Sequence, residues 1–356
     1  MTDLVNALGF SDDEIKKCGA ANGLLSIELE FTRKCNLKCL YCYTEAGKAA
    51  QDELTIDELK SVVSQARDLG AKRIILLGGG EPLIYDRLTD IVAYINSLGL
   101  QQVIFTNGTL ITDDIARFLY EHEVSVIIKQ NSLDPDIQDE LAGVEGAFWR
   151  IKRGMEILRQ SGYPNGKASL GLQTVICRQN IDEIPRMWVW ARERNIIPYV
   201  EILTFQGRAR NNSSLLVSSE RTKALFEQLE SIDSASFKIQ WKTRPTIAAF
   251  SCKRHLYSSL VTAQGNVQPC TGVDIPVGNI REHPLREILS GSPVIRSLRN
   301  VYAHLEGECR DCRHSKECYG CRGNAYQMTG NYLASDPTCW HCEKVKNENP
   351  VYLCKQ

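Results

Sequence analysis

Three cysteines crowd onto one short stretch of this chain, Cys35, Cys39 and Cys42, in a C-x3-C-x2-C pattern. Residues 25–31, just before them, alternate between apolar and polar side chains as a half-buried strand does, so the cysteines are predicted to lie on the loop that ends this strand. A zinc site or a cubane iron-sulfur cluster needs four ligands, and this loop supplies three. The pattern therefore predicts a metal centre with one open position; a zinc knuckle or three buried thiols are the alternatives.

Strand-like and helix-like segments alternate along the first 210 residues. One helix is predicted from a capping box at Thr55–Glu58 and from apolar residues at helical spacing up to Gly70. The predicted strands cover residues 25–31, 73–77, 102–106, 124–130, 169–176 and 199–204. This alternation predicts an α/β fold with a parallel sheet and right-handed crossovers. Six β/α units favour an open, partial (β/α)6 barrel, with a Rossmann-like open sheet as the alternative.

The cysteine pattern, with an aromatic residue before its last cysteine, resembles the signature of the radical S-adenosylmethionine (radical SAM) enzymes. The resemblance implies a six-unit partial barrel and a 4Fe-4S cluster on Cys35, Cys39 and Cys42. It also implies that S-adenosyl-L-methionine binds the open iron through its amine and carboxylate. Reductive cleavage of that cofactor would give methionine and a 5'-deoxyadenosyl radical, which removes a hydrogen atom from a substrate carbon.

Further residues follow the predicted strands at positions that this family uses for the cofactor. A Gly-Gly-Glu-Pro run at residues 79–82 is similar to the family element that contacts the methionyl amine. Glycines let the backbone approach a ligand, and carboxylate or carbonyl oxygens accept hydrogen bonds from an ammonium group. Polar residues after the third and fourth strands match ribose and carboxylate contacts, although turn formation explains them equally well. The resemblance assigns to the cofactor Tyr41 (near the adenine), Gly79, Gly80, Glu81, Pro82, Asn107 and Ser132.

From Cys252 onward the chain is rich in cysteine, glycine and short turn-like pieces. Its spacing, C-x12-G-x4-C and then C-x2-C-x5-C-x2-C, resembles the SPASM domain and implies one or two auxiliary iron-sulfur clusters. Pairs of C-x2-C suit zinc ribbons as well. By position, one cluster would take Cys309, Cys312, Cys318 and Cys339, and the other Cys252, Cys270 and Cys321. The second set is one ligand short, and His255, Cys342 or the substrate are candidates for the open site.

Composition restricts the partners and the compartment. A net charge of −1 predicts no binding surface for nucleic acid or anionic membrane. The first residues lack the basic region of a signal peptide and no apolar run has the length of a membrane span, so a cytoplasmic protein is expected. In a reducing compartment the 14 cysteines favour metal ligation over disulfides. Cys18, Cys177 and Cys354, which stand apart, are predicted to be small buried apolar residues.

The segments of the chain are predicted to play different structural roles. A helix is expected near residues 221–230 and a short strand at 237–241, both within the bridge. The predicted divisions are a helical preamble (1–22), the barrel (23–210), a bridge (211–250), the SPASM domain (251–345) and a tail (346–356).

Two substrate classes and one non-enzymatic role are left open. The SPASM resemblance favours oxidation or cross-linking of a peptide, with an auxiliary cluster accepting the remaining electron and a flavodoxin- or ferredoxin-type donor supplying the first one. Family members that modify peptides often carry a leader-binding domain before the barrel. Here 34 residues precede Cys35, too few for such a domain, so a peptide substrate is expected to need a separate carrier. The alternatives are a small intermediate (an aminocyclitol, sugar or tetrapyrrole) or a non-catalytic iron-sulfur electron carrier. Candidate substrate contacts are Lys129, Glu201, Arg208, Arg210 and His255.

Overall fold

A computed structural model describes residues 9–245 and 252–342. Within these residues, nine strands form one sheet in the order β6-β5-β4-β3-β2-β1-β7-β8-β9. The strands are β1 (Ser26–Leu29), β2 (Arg73–Leu76), β3 (Gln101–Thr106), β4 (Ser125–Lys129), β5 (Leu170–Ile176), β6 (Ile197–Ile202), β7 (Leu260–Val261), β8 (Asn266–Gln268) and β9 (Gly278–Asn279).

Helices connect the first six strands, and short helices recur in the C-terminal segment. Helices α2, α3, α4 and α6 pack one apolar face against the outer side of the sheet, where Ile27, Ile74 and Ile104 join one continuous core. The helices are α1 (Asp12–Ala20), α2 (Ile56–Asp68), α3 (Leu88–Ser97), α4 (Asp113–Glu121), α5 (Pro135–Ala142), α6 (Ala147–Gln160), α7 (Ile184–Arg192), α8 (Ser219–Ile232), α9 (Leu285–Gly291), α10 (Pro293–Arg299), α11 (Val301–His304), α12 (Gly307–Asp311) and α13 (Arg322–Thr329).

Strands β1 to β6 are parallel and neighbour one another in chain order. This order confirms the predicted six-unit partial barrel. A Rossmann-like sheet reverses its strand order at a switch point between strands, and β1 to β6 have no such reversal. The carboxyl ends of all six strands therefore meet at one end of the barrel, where the loops after them are brought together.

The cysteine-rich segment extends the same sheet. Strand β7 pairs in parallel with β1, Glu28 opposite Leu260 and Leu29 opposite Val261, and β8 and β9 continue antiparallel beyond it. Backbone hydrogen bonds from Leu25 and Glu28 to the residues before β7 prolong this pairing. The pairing holds the start of the cysteine-rich segment against the first barrel strand, next to the loop that carries Cys35.

Most predicted elements agree with the structure, and one is wrong. Helix α2 has the predicted capping box, and α8 covers the helix expected near 221–230. The strand predicted at 237–241 is absent: residues 233–237 form a π-helical turn, and Trp241 Nε1 donates to the buried carboxylate of Asp233 at 2.9 Å. That carboxylate also accepts from Trp188 Nε1, so it draws the segment against α7 instead of leaving it free to pair as a strand.

Cys18 and Cys177 are buried, as predicted, whereas Cys354 and the predicted tail lie outside the described residues. The first eight residues of the preamble, residues 246–251 and residues 343–345 also lie outside them. None of the described helices is long and apolar enough to span a membrane.

Candidate active site

A cavity of about 290 Å³ lies at the carboxyl ends of the barrel strands. The thiols of the first cysteine loop line it together with three cysteines of the C-terminal segment. The structure thus brings together two groups that are more than 200 residues apart in the chain. The six cavity-lining cysteines are Cys35, Cys39, Cys42, Cys252, Cys270 and Cys321.

The loop after β2 positions the first cysteine loop. Gly80 N donates to Thr32 O at 2.7 Å, and Glu81 N donates to Lys34 O at 2.8 Å. A Cβ at Gly80 would lie 2.0 Å from Lys34 O, so only glycine allows this approach of the two backbones. Gly79 has a φ of +76° and packs against the side chain of Glu30. The Gly-Gly pair therefore holds the cysteine loop in register with the end of β2.

The three thiols of this loop suit a cluster. Burial raises the pKa of Cys39 to about 12 and also raises that of Cys35, so binding of iron there must release protons. Leu37 N donates to Cys35 Sγ at 3.5 Å, and the Thr44 hydroxyl lies 3.4 Å from Cys42 Sγ. Across residues 9–245 and 252–342, no three His, Cys, Asp or Glu side chains converge on one metal ion. A cubane binds each thiolate through a separate iron, so a cluster does not require the thiols to converge on one ion.

Glu81 ties the ends of two strands together beside the thiols. It is 1% exposed, and its carboxylate accepts hydrogen bonds from Thr106 Oγ1 at 2.6 Å, Asn107 N at 2.7 Å and Leu83 N at 3.1 Å. Burial raises its pKa to about 7, against the opposing effect of those donors. Glu81 also lines the cavity, so it both fixes the end of β2 to the end of β3 and lies where a ligand would bind.

The other residues assigned to the cofactor take different positions. Tyr41 and Asn107 line the cavity, and Asn107 Nδ2 donates to Asn36 Oδ1 at 2.9 Å. Pro82 begins a short 3-10 turn behind the cavity wall. Ser132 is fully buried outside the lining, where its hydroxyl donates to Glu183 and accepts from Asp134 N. Cofactor contact by these residues stays a prediction.

Lys129 and Glu201 were named from the sequence, but other charged and polar residues that line the cavity were missed, namely Glu28, Gln173, Tyr199 and Arg254. Glu28 is 1% exposed and forms an ion pair with Arg254 at 2.7 Å. Tyr199 donates to Glu201 at 2.7 Å, and Gln173 also donates to Glu201. The signal was present in and just after β1, where Glu28 and Glu30 alternate with apolar residues. A polar residue between apolar ones usually faces solvent, but here the inner face of β1 lines a cavity.

The five candidate substrate contacts divide between the cavity and its surroundings. Lys129 and Glu201 line the cavity, and Lys129 Nζ lies 5.2 Å from the centre of the Tyr41 ring. Lys129 has no hydrogen bond or ion pair to another described residue, and burial lowers its pKa. Arg208 donates to Ala46 O, and Arg210 to Gln327, both outside the cavity lining. His255 is buried beside Tyr319, also outside the lining.

The C-terminal cysteines lie on turns whose backbone donors are aimed at sulfur. Four thiols accept a backbone N–H at 3.3 to 3.5 Å, namely those of Cys309, Cys312, Cys318 and Cys339. Cys270 and Cys321 accept one each from Val273 and Asn324. Donors aimed at sulfur stabilise thiolate over thiol, so both groups fit iron ligation. Cys342 is buried and lies three residues beyond Cys339.

Comparison with known proteins decides the family. One matching family model describes the radical SAM superfamily, over residues 29–188, and another an iron-sulfur cluster-binding domain, SPASM, over residues 252–313. An AdoMet-dependent heme synthase of Methanosarcina barkeri is 30% identical over 88% of this chain and 95% of its own length. The chain belongs to the radical SAM superfamily. Its two domains imply a 4Fe-4S cluster, S-adenosylmethionine and auxiliary iron-sulfur clusters, which confirms the cofactors expected from the sequence.

A second curated relative and a solved structure are also similar to this radical SAM protein. The Fe-coproporphyrin III synthase of Methanosarcina barkeri is 27% identical over 87% of this chain and 86% of that protein. The crystal structure of Streptococcus suis SuiB bound to S-adenosylmethionine is 18% identical, covers 93% of this chain and 84% of SuiB, and has a TM-score of 0.71. The likeness to SuiB confirms the fold, a partial barrel followed by a SPASM domain.

Proposed function

We propose that this protein is a radical SAM oxidoreductase that removes hydrogen from a carboxylate-bearing tetrapyrrole intermediate. The observation that carries the oxidation is the shared cavity: Cys35, Cys39 and Cys42 line it together with three cysteines assigned to an auxiliary cluster. An electron acceptor beside the site of hydrogen removal favours net oxidation of the substrate over a reversible rearrangement.

The substrate class is inferred from the relatives and from the charged side chain of Lys129. Proteins named heme synthase and Fe-coproporphyrin III synthase resemble this chain over nearly its whole length. Lys129 lines the cavity, and no described residue neutralises it by an ion pair, whereas Arg254 is paired with Glu28. Lys129 is half-buried, and the negative charge of Glu201 acts on it without forming an ion pair, so the ammonium can still bind an anionic group of a ligand. A propionate-like carboxylate of the substrate would supply that group.

Each group of residues then has a role in the cavity. Cys35, Cys39 and Cys42 would hold the 4Fe-4S cluster. With S-adenosylmethionine bound, that cluster supplies the 5'-deoxyadenosyl radical that removes hydrogen. Glu81 presents acceptor oxygens for the methionyl ammonium, while Lys129 orients the substrate through its carboxylate. The apolar side chains of the lining, among them Ile75, Leu77 and Phe105, exclude water from the reacting carbon.

The experiment is an anaerobic assay of reconstituted protein with dithionite and S-adenosylmethionine, in which 5'-deoxyadenosine is quantified. Formation of 5'-deoxyadenosine that is abolished in Cys35→Ala supports the enzyme. Its absence from fully reconstituted protein would favour the electron carrier instead.

Substrate class is tested separately by titrating the protein with Fe-coproporphyrin III and following its absorption band. Lys129→Met is expected to weaken binding by about tenfold and Lys129→Arg by much less, because a carboxylate contact with a cation contributes about 1.4 kcal/mol or more. No binding, together with oxidation of a peptide supplied in its place, would favour the peptide substrate expected from the sequence.

A further inference from the structure

The turn of residues 318–322 serves both auxiliary sites. Cys318 belongs to the set assigned with Cys309, and Cys321 to the set assigned with Cys252. Tyr319, which follows Cys318, donates a hydrogen bond to the set of Cys252, and Arg322, which follows Cys321, donates one to the set of Cys309. The distances are 3.9 Å from Tyr319 Oη to Cys252 Sγ and 3.9 Å from Arg322 Nη2 to Cys309 Sγ. One short turn therefore places a neutral donor at one set of thiols and a cationic donor at the other.

Arg322 is a buried charge without a carboxylate partner. Its side chain is 1% exposed, Nη1 donates to Tyr332 O at 3.2 Å and to Ala334 O at 2.6 Å, and Nε has no hydrogen-bond partner. No carboxylate of the described chain forms an ion pair with it. Burying a guanidinium is costly unless an anion lies close. The anion that its Nη2 faces is the thiolate of Cys309, hence the iron-sulfur cluster assigned there.

One acidic group opposes Arg322. Asp336 is 4% exposed and accepts from Cys321 N at 2.6 Å and from Thr338 N at 2.9 Å. Its backbone N donates to Cys309 Sγ at 3.5 Å, so Asp336 lies beside the same group of thiols. Arg322 and Asp336 both contact Cys309 and carry charges of opposite sign, so substitutions at the two residues are expected to act in opposite directions.

We propose that Arg322 raises the reduction potential of the cluster held by Cys309, Cys312, Cys318 and Cys339, and that Tyr319 acts on the other auxiliary cluster. Reduction adds a negative charge to a cluster. A nearby cation or hydrogen-bond donor stabilises the reduced form, and donors to the sulfurs are among the established determinants of cluster potential. The inference rests on the proposed function for its ligand assignment. It adds that Arg322 and Tyr319 are potential-setting residues.

The test is a redox titration, followed by EPR, of full-length protein in which Cys35, Cys39 and Cys42 are alanine, so that the auxiliary clusters alone contribute. Arg322→Gln is expected to reduce the preference for the reduced cluster about tenfold, a fall of about 59 mV for a one-electron couple. Arg322→Lys, which keeps the charge, should change that potential by less than half as much. Asp336→Asn should raise the same potential.

Two further variants test whether each effect is confined to one cluster. Tyr319→Phe should lower the potential of the second auxiliary cluster and leave the first unchanged. Arg310→Gln removes an exposed arginine next to Cys309, paired with Asp311, and should move neither potential.

Several outcomes would overturn the proposal. They are equal shifts for Arg322→Lys and Arg322→Gln, loss of the cluster in both, or shifts of the same sign for Arg322→Gln and Asp336→Asn. Absence of auxiliary signals from the parent protein would instead refute the ligand assignment, and with it the basis of the proposal. Failure to form 5'-deoxyadenosine, measured in protein with all cysteines present, is a separate result that refutes the proposed enzyme alone.

Discussion

The absence of a side chain at Gly80 allows the loop after β2 to pack against the backbone of the cysteine loop. The Cα of Gly80 lies so close to the backbone of Lys34 that an added methyl group would overlap the carbonyl oxygen and carbon, at 2.0 and 2.6 Å. Neither of those atoms belongs to a flexible side chain that could move aside. The loop after β2 and the loop that carries Cys35 must therefore separate if Gly80 is replaced.

Gly80→Ala is expected to lower cluster content severalfold and to abolish most 5'-deoxyadenosine formation, because the three thiols would lose their register with β2. Iron per chain and 5'-deoxyadenosine per hour measure the two effects. Gly47 is the matched control, since its backbone also pairs with the cysteine loop but a Cβ there meets no atom within 4 Å. A Gly80→Ala protein with the iron content and activity of Gly47→Ala would contradict this account of the loop.

Candidate metal ligands could be predicted from the sequence, whereas the contacts between distant residues that line the cavity could not. Cysteine spacing carries chemical information along the chain, so Cys35, Cys252 and Cys270 were expected to bind clusters, but their position in one shared cavity was not expected. The pairing of Glu28 with Arg254 depends on a contact between residues 226 positions apart, which no local pattern reports. Lys129 and Glu201, named as candidate substrate contacts, lie near the ends of β4 and β6 and line the cavity, whereas their contact with a substrate stays a prediction.

At the scale of elements, an ion pair between Glu58 and Arg281 joins helix α2 of the barrel to the C-terminal segment. Glu58 closes the capping box of α2 with Thr55, and its carboxylate also binds Arg281, just after β9, at 2.5 Å. Arg281 donates further to the backbone oxygen of Asp52 at 2.9 Å. Hydrogen bonds from Arg281, the larger cause, and from Thr55 lower the pKa of Glu58 to about 2.

Glu58→Gln is expected to destabilise the protein by about 1 to 2 kcal/mol at neutral pH, from a weakened cap and a partly exposed ion pair. The lowered pKa gives the sign of the pH dependence. The stabilisation is complete above about 4.5 and is lost as the pH falls through about 2, so the difference from wild type should shrink over that window. Urea unfolding of cluster-free protein measures it. A difference that grows on acidification would be inconsistent with this pair.

The strands and helices of the barrel could be predicted because each has a recognisable local pattern of apolar residues. A buried strand reads as an apolar run and an amphipathic helix as a 3.6-residue repeat, so all six barrel strands were found within a few residues of their bounds. The segment at 237–241 alternates as a strand does, yet the buried carboxylate of Asp233 binds Trp241 and the π-helical turn precedes it. A tertiary hydrogen bond outweighed the local pattern.

Over the whole molecule, both domains contribute to one cavity. Strand β7 prolongs the barrel sheet beyond β1, and this pairing carries Cys252, Cys270 and Cys321 into the lining that Cys35, Cys39 and Cys42 begin. Neither segment alone would form a site with both groups of thiols. The domain boundaries at 23–210 and 251–345 remain predictions, because the sheet itself is continuous across them.

Because the two groups of thiols lie on different segments, substitutions in one group can test radical formation and net oxidation separately. Cys270→Ala removes one ligand of the cluster assigned beside the barrel but leaves the first cysteine loop intact. It is expected to form 5'-deoxyadenosine at a rate within severalfold of wild type while product falls at least tenfold, because the electron left on the substrate has no acceptor.

The wild-type protein should consume one S-adenosylmethionine for each hydrogen removed, and the variant should consume many for each product. Cys18→Ala is the control, since Cys18 is equally a cysteine but is buried away from the cavity. Mass spectrometry of 5'-deoxyadenosine and product in the same reactions gives the ratio. An unchanged ratio in Cys270→Ala would mean that the C-terminal thiols do not take part in the oxidation.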